Sequence, residues 1–274
     1  MIRPSFRVAT ALALTLSVAP AALAQDDDAA LRLAEQDFTL VSLPTALRLP
    51  QFGSAFRVTH RFTRSLAQGD FGDLAGDLFG IDSGAQIGLE YRFGIFKNAQ
   101  IGVHRTNDKD IMLFGQYGLV RQSQLGFDVS ALVAVDGTDN FSDKFSPSLG
   151  AVVSRTFGDV VALYVEPIWV NNSNPVSKEL FDLLGIEHND TFMVGIGGRL
   201  RIRPTVYVVA EYAPRSGFTP GVDHAGVSIE KRAGGHTFAL DFVNSYATTR
   251  RQLALGGLSN DDWYLGFSIS RKFF

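Results

Sequence analysis

The stretch Asp262–Phe274, which reads DWYLGFSISRKFF, decides the fold. Every second residue from Trp263 to Ile269 is large and apolar, and those between are mostly small or polar, so an extended strand has two unlike faces. The stretch is about as long as a tilted strand that crosses a membrane, and its last residue is aromatic, as in many outer-membrane β-barrels. Phe274 is out of phase with the apolar face, which requires a twist of the last residue or a bulge near Arg271. The pattern predicts the closing strand of a barrel in lipid.

The first 24 residues have the parts of a secretory signal peptide. Arg3 and Arg7 precede an apolar run, and Ala22-Leu23-Ala24 fits a cleavage site of small residues. We therefore expect cleavage after residue 24 and export across the inner membrane. Because the removed segment carries two arginines and no acids, the mature chain has a formal charge of −5 instead of −3. That balance argues against a nucleic-acid partner, and the absence of cysteine excludes thiolate metal sites.

From Ser54 onward the sequence alternates regularly, and we predict about twelve strands. They lie at residues 54–63, 84–93, 99–107, 111–122, 127–135, 147–157, 161–169, 191–202, 205–213, 224–231, 237–244 and 262–274. An even number is expected for a bacterial single-chain barrel. Short connections alternate with long ones, except at 108–110, as periplasmic turns alternate with external loops. A soluble periplasmic β protein, which is the alternative, has no reason to alternate in this way.

Aromatic residues near the strand ends fall into two groups. Those near the long loops are Phe62, Trp169, Phe192, Tyr212 and Trp263, and those near the short turns are Tyr91, Phe93, Tyr117, Phe157 and Phe273. Two belts at two heights are typical of rings at the two membrane–water interfaces. We therefore predict an all-β fold, a transmembrane antiparallel up-and-down β-barrel over residues 54–274, in the bacterial outer membrane. Its expected partners are outer-membrane lipid and the barrel-assembly machinery, and its oligomeric state stays open.

Residues 25–53 differ from the barrel sequence. They begin with an acidic run at Asp26–Asp28 and continue as an irregular apolar segment that is interrupted by Pro44. We interpret them as a short N-terminal periplasmic arm or a plug, and the alternative is a disordered leader.

Charged residues on the polar faces of the strands should line the lumen. They are Arg57, Arg61, Glu90, Arg92, Asp128, Glu166, Arg199, Arg201, Glu211, Glu230, Asp241 and Lys272. Most of the bases lie toward the short turns, whereas Glu166, Glu211 and Asp241 lie toward the long loops. Because buried charges must be paired or hydrated, the set indicates either an interior network of salt bridges or a narrow hydrated pore with an acidic outer mouth.

Four stretches together resemble an uncharacterised family of predicted bacterial outer-membrane β-barrel proteins, a domain of unknown function. They are His60-Arg61-Phe62, FGIDSGAQIGLEYRFG at 79–94, GGHTFALDFVNS at 234–245 and GFSISRKF at 266–273. The resemblance implies fold and location but no established activity. The positions that match the motifs of the family are His60, Arg61, Gly234, Gly235, His236 and Asn244.

His60 and His236 are candidate metal ligands or acid–base residues. His60 shares the apolar face of its strand, and His236 opens the strand after a glycine turn, with no third ligand at a useful spacing. We expect a structural, hydrogen-bonding role for each, with no metal and no cofactor. A lipid-active enzyme would need a serine–histidine pair near the outer leaflet. The nearest arrangements place Thr106 with His104 and Ser228 with His224, and neither is a convincing pair, so we expect no enzymatic activity.

The function that the sequence favours is a narrow passive channel for small solutes or ions. The alternative is a closed structural or adaptor barrel that acts through its loops and N-terminal arm. An outer-membrane lipid-active enzyme is the third possibility and the one that the sequence favours least.

Overall fold

The computed structural model describes residues 33–176, 178–184, 188–218, 221–257 and 259–274. The predicted signal peptide and the first residues of the predicted arm lie outside this part of the chain. Within it, no helix is both long and apolar enough to cross a membrane.

The described residues form one antiparallel sheet of thirteen strands, which closes into a barrel. The strands are β1 (Ser54–Phe62), β2 (Ala85–Phe96), β3 (Ala99–Thr106), β4 (Ile111–Val120), β5 (Asp128–Thr138), β6 (Asp143–Phe157), β7 (Val161–Val170), β8 (Thr191–Arg203), β9 (Val206–Ala213), β10 (Arg215–Ser216), β11 (His224–Ala233), β12 (His236–Val243) and β13 (Tyr264–Phe273). Sequential long strands pair with each other, β13 pairs with β1, and the short β10 adds to the edge of β8. The prediction of a twelve-stranded up-and-down barrel is confirmed, with β10 as an addition.

In the part of the chain that the structure describes, four short helices lie in the connections. They are α1 (Phe71–Gly76), followed by a 3-10 turn (Leu78–Gly80), α2 (Gln122–Leu125), α3 (Lys178–Leu184) and α4 (Arg250–Leu255). Only α2 lies at the end of the barrel where the short turns are; we call this the short-turn end and the opposite one the long-loop end. The connection from β5 to β6 is shorter than predicted, because both strands extend to a tight turn at residues 139–142. Asp139 and Asn140 there have φ values of 47° and 58°, which these residue types tolerate better than most.

The outward face of the barrel is apolar. In β12, Phe238 is 43% exposed and Leu240 is 44% exposed, whereas the alternating Thr237 and Asp241 are buried in the interior. The same alternation recurs around the sheet. A continuous apolar band of this kind is unfavourable in water and stable in lipid, where the closed ladder satisfies every strand.

The two aromatic belts follow the predicted heights, with one difference. At the long-loop end Trp169 donates from Nε1 to Asp190 at 2.7 Å, and the Tyr212 hydroxyl donates to Asp223 at 2.5 Å. Phe62, however, is buried, because the connection from β1 to β2 folds back and places Gly80 beside it.

The interior is filled by the N-terminal segment, residues 33–49, which we call the plug. Its residues Leu40, Val41 and Leu43 belong to one apolar cluster with wall residues such as Tyr164 and Met193. A second cluster at the short-turn end joins Phe38, Leu47, Leu49 and Ala55, and Phe274 packs against it. The strand β13 pairs with β1 without a bulge as far as Phe273. Phe274 therefore follows the alternation and lies inward against the plug.

Candidate functional site in the lumen

The plug folds into a hairpin within the barrel. The backbone N–H of Leu40 donates to the carbonyl of Leu43 at 2.7 Å, and that of Thr45 donates to Phe38 at 2.9 Å. Pro44 lies in the returning arm, bridged to Thr39. This leaves the N–H groups of the tip, residues 41–43, without partners inside the hairpin, and buried N–H groups must find acceptors elsewhere.

The acceptor for the tip is the carboxylate of Glu211 on β9. Its oxygens accept from the N–H groups of Val41 at 3.0 Å, Ser42 at 2.8 Å and Leu43 at 3.1 Å. His224 Nε2 lies 2.7 Å from the same carboxylate. Three backbone donors converge on this carboxylate, and hydrogen bonds to a carboxylate are stronger than bonds between neutral groups. Glu211 therefore fixes the position of the tip.

Basic side chains of the wall hold the carbonyl groups of the plug. Arg57 and Arg61 each donate to the carbonyl of Val41 at 3.1 Å. Arg199 donates to the carbonyl of Thr39 at 2.8 Å, and Lys272 donates to that of Gln36. The wall thus provides acceptors for the N–H groups of the hairpin tip and donors for the carbonyl groups of the plug.

Asp37 is one of the charged side chains by which the plug contacts the wall. Its carboxylate lies 3.2 Å from Arg57 Nη1 and accepts from the Ser270 hydroxyl at 2.7 Å. Farther along the plug, Gln116 donates to the carbonyl of Thr45 at 2.9 Å. Gln100 accepts from the N–H of Leu49 at 3.0 Å. These contacts continue the polar attachment to the short-turn end.

Three ion pairs stabilise the wall itself. Arg61 lies 2.5 Å from Asp241, Arg92 lies 2.5 Å from Glu90, and Arg199 lies 2.9 Å from Glu230. All six side chains are buried. Removing one partner of such a pair leaves an uncompensated charge and typically costs about 3–5 kcal/mol.

A second insertion enters the lumen from the long-loop end. It carries α4, whose first turn is capped by the hydroxyl of Thr249 and the side chain of Gln252. Arg251 anchors the helix to Asp110 at 2.5 Å, and Leu253 is buried. Burial lowers the pKa of the Arg250 guanidinium to about 10, which leaves it charged at neutral pH.

Among the described residues, cavities lie at both ends of the lumen and between the hairpin tip and α4. One of about 400 Å³ opens at the short-turn end beside the plug, and Arg48, Lys97 and Arg121 are among its lining residues. One of about 350 Å³ opens at the long-loop end beside α4. Between the hairpin tip and α4 only about 40 Å³ remains, which holds on the order of three water molecules. The lumen is therefore closed at mid-height, where the hairpin tip and α4 approach each other.

The structure places the predicted lumen charges as follows. Arg201 lies at the rim of the short-turn end, where its guanidinium donates to the carbonyl of Pro204 at 3.0 Å, and it is not buried. The others are buried along the inner wall: Arg57, Arg61, Glu90, Arg92, Asp128, Glu166, Arg199, Glu211, Glu230, Asp241 and Lys272. Both carboxylate oxygens of Glu166 are buried without a hydrogen-bond partner among the described residues. The acidic residues therefore do not form an open ring, since Asp241 is paired and Glu211 is covered by the plug.

Strand alternation does not predict the residues that enter the lumen from outside the strands. These include Asp37, Arg250 and Arg251, because neither the apolar N-terminal segment nor the last long loop has strand alternation. The capping box from Thr249 to Gln252 is a local signal that could have indicated α4.

The family-motif positions other than Arg61 have local structural roles. The His60 ring lies on the outer face and stacks on Phe267 with centroids 4.8 Å apart, and its Nδ1 has no hydrogen-bond partner among the described residues. His236 Nε2 lies 3.0 Å from Arg271 Nη1, just after the turn Gly234-Gly235, where Gly234 has φ 58°. Asn244 bonds the backbone of Ala225 and of Asp223 at 2.8 and 2.6 Å and so ties β12 to the start of β11.

The side chains that could have formed a hydrolytic pair have other partners. The Ser228 hydroxyl donates to the carbonyl of Leu240 at 3.0 Å, and the Thr106 hydroxyl donates to Asp108. His104 lies 3.4 Å from Glu90. No group of three or more potential metal ligands stands together in the described part of the chain.

Comparison with known families now adds to this geometry. The family described as "Membrane bound beta barrel domain (DUF5777)" matches residues 36–273. The chain belongs to this family. The match confirms the resemblance inferred from the four stretches, and it begins inside the plug, so the plug is part of the family domain. No curated protein matches the chain.

Solved outer-membrane proteins have a similar fold at low sequence identity. Omp33 of Acinetobacter baumannii has 11% identity and a TM-score of 0.47, with 81% of this chain and 99% of that chain covered. The NanC porin has 8% identity and a TM-score of 0.49, with the same coverage of 81% and 99%. The COG4313 outer membrane channel of Pseudomonas putida F1 has 10% identity and a TM-score of 0.48, with 83% and 98% covered. Likeness of this degree carries no information about function.

Proposed function

We propose that this protein is a narrow channel of the bacterial outer membrane and that its own plug keeps it closed at rest. Displacement of the hairpin opens a path for small solutes. The observation that carries the proposal is a pair of cavities, of about 400 and 350 Å³, at the two ends of the lumen, with only about 40 Å³ of space between the hairpin tip and α4. A purely structural barrel needs no large cavities at either end of a polar lumen.

The contacts of the plug support displacement. The hairpin tip is held by N–H groups on Glu211 and by arginines on the carbonyl of Val41, and water can replace each of these partners. The chain contains no cysteine, so no disulfide ties the plug to the wall. The apolar contacts of Leu40 and Leu43 favour the closed state, which makes it the resting one.

The wall is suited to hydration once the plug leaves. Three wall residues then lose plug partners and face water: Glu211, Arg57 and Arg199. Arg61 and Asp241 remain paired with each other. A lumen lined by charges of both signs accommodates small polar solutes without strong preference for one sign.

Planar-bilayer recording of deletion variants tests the proposal. A variant without residues 25–49 should show higher conductance than the wild type, and replacement of α4 by a short glycine–serine linker in addition should raise it further. Removal of residues 67–77 is the matched control, because α1 has no buried residues and lies outside the lumen. If the doubly shortened barrel refolds and does not conduct, the protein is the closed adaptor barrel instead.

A further inference from the structure

The cavity between the hairpin tip and α4 is small and strongly basic. It measures about 40 Å³, and residues 42–44 of the hairpin tip form one of its sides. Four arginines line it: Arg57, Arg61, Arg92 and Arg250. Glu90 is the one acidic residue among the described residues that line it. Because charges in a low-dielectric interior must be compensated, each of these arginines needs an anionic partner.

Three of the four arginines find that partner in the protein. The ion pairs are Arg57 with Asp37 at 3.2 Å, Arg61 with Asp241 at 2.5 Å, and Arg92 with Glu90 at 2.5 Å. The charges of these three side chains are therefore compensated whether or not a ligand is bound.

Arg250, on the first turn of α4, is the exception. In the part of the chain that the structure describes, no carboxylate lies within 4.0 Å of its guanidinium. Its one side-chain hydrogen bond there is long, from Nη1 to the Ser148 hydroxyl at 3.5 Å. The residue is only 6% exposed, yet Nε and Nη2 retain accessible surface and have no hydrogen-bond partner among the described residues. A buried cation with free donors at a cavity requires a counter-ion there.

The charges around Arg250 do not take the place of that counter-ion. Burial is the main cause that lowers the pKa of Arg250, and Asp136 on β5 opposes it. Asp136, however, does not line the cavity, and its carboxylate accepts from the backbone N–H of Arg251 at 3.4 Å. The positive charge of Arg92 lowers the pKa of Arg250 further, so the two guanidinium groups repel each other. An anion in the cavity would relieve this repulsion and supply the missing partner.

The size and charge of the cavity select the class of anion. A volume of about 40 Å³ holds on the order of three water molecules, which leaves no room for a hydrated sulfate or an organic acid. One uncompensated guanidinium calls for one negative charge. Apolar side chains such as Met112 and Leu253 also line the cavity, and they favour an ion that loses its hydration shell easily. We propose that this cavity binds one small halide ion, chloride or bromide, at the guanidinium of Arg250.

A halide bound here would stabilise the closed lumen, because the hairpin tip forms one side of its site and α4 another. A ligand that binds only the closed arrangement lowers the population of every opened one by mass action. Binding requires closure and not conduction, so this proposal and the channel proposal fail separately.

Hydrogen exchange of the wild-type protein in sodium chloride, compared with sodium gluconate at the same sodium concentration, is the test. Exchange at residues 250–255 of α4 and at residues 40–45 of the hairpin should slow saturably in chloride. At ten times the dissociation constant the slowing should be about tenfold. Bromide should act like chloride, whereas sulfate, which is too large, should act like gluconate. Residues 71–76 of α1 are the internal control, because this helix has no buried residues and lies outside the lumen.

Arg250→Gln should abolish the chloride dependence in both segments, whatever its exchange rate in gluconate. Lys109→Gln is the matched control, since it removes the same charge at the same end of the barrel from an exposed pair with Asp139 and should keep the chloride dependence. If Arg250→Gln does not refold, the anion series on the wild-type protein decides alone. Equal exchange in chloride and gluconate, equal protection by sulfate, or a chloride dependence that persists in Arg250→Gln would overturn the proposal.

Discussion

Glu211→Gln should release the hairpin tip, and the size of the effect follows from the geometry. The two carboxylate oxygens of Glu211 serve four donors, three from the tip and one from His224. A glutamine keeps one acceptor oxygen and turns an NH₂ group toward the remaining donors. At least two bonds to a charged group are lost, which costs about 3 kcal/mol. The opened population should rise about a hundredfold.

Glu166→Gln is the matched control for this change. Glu166 is also a buried wall glutamate, but its carboxylate oxygens have no hydrogen-bond partner among the described residues. Replacing its carboxyl group by an amide of nearly the same shape breaks no observed bond. This substitution should leave the plug as firmly seated as in the wild type, or more so.

Thiol labelling reports the opened population directly. Ser42→Cys places a single thiol at the tip, in a chain without other cysteines, where the native Oγ atom is buried. The rate of reaction with a bulky maleimide should rise about a hundredfold in the Glu211→Gln background, in line with the lost bonds. Equal rates in the two glutamine backgrounds, or no change in either, would refute the assignment of Glu211 as the anchor.

Three further predictions concern the barrel and its insertions. Leu240→Arg should lower the free energy of unfolding in urea by about 2–4 kcal/mol, because Leu240 faces lipid. Ala239→Ser on the inner face should have almost no effect, and equal losses in the two variants would contradict the register of β12. Arg61→Met should destabilise the barrel by about 3–5 kcal/mol, and adding Asp241→Leu should recover most of that loss; a double variant as unstable as the single one would show that the pair is not the source. Thr249→Ala removes the cap of α4 and should cost about 1 kcal/mol of helix stability, seen as faster backbone hydrogen exchange at residues 250–255; unchanged exchange would contradict the cap.

The barrel was predictable from the sequence because one face of each strand meets lipid and the other does not. Each strand therefore alternates between apolar and polar residues with a period of two. Twelve such strands, joined by connections that alternate in length, are compatible with few chain topologies. The connection from β5 to β6 is shorter than predicted, because Asp139 and Asn140 are typical loop residues but form a tight turn here.

The closure of the lumen was less predictable. The plug has neither strand nor helix periodicity, because its backbone groups bond to wall side chains and not to a neighbouring ladder. Glu166 and Glu211 occupy equivalent positions in the alternation, yet only Glu211 meets the hairpin tip. Which glutamate anchors the plug depends on where a distant segment folds back, and no local pattern encodes that.

A reversible cross-link between plug and wall tests whether the plug closes the channel. A Cβ added at Gly226 would lie 3.4 Å from Cβ of Val41, close to the separation of about 3.8 Å in disulfides. Val41→Cys with Gly226→Cys therefore gives a plug that can be locked by oxidation and released by reduction, with Val41→Cys alone as the control. In a planar bilayer, we expect no current under oxidising conditions and channel openings after reduction, with no redox response in the control. Equal conductance in the oxidised and reduced states of the double variant would contradict it.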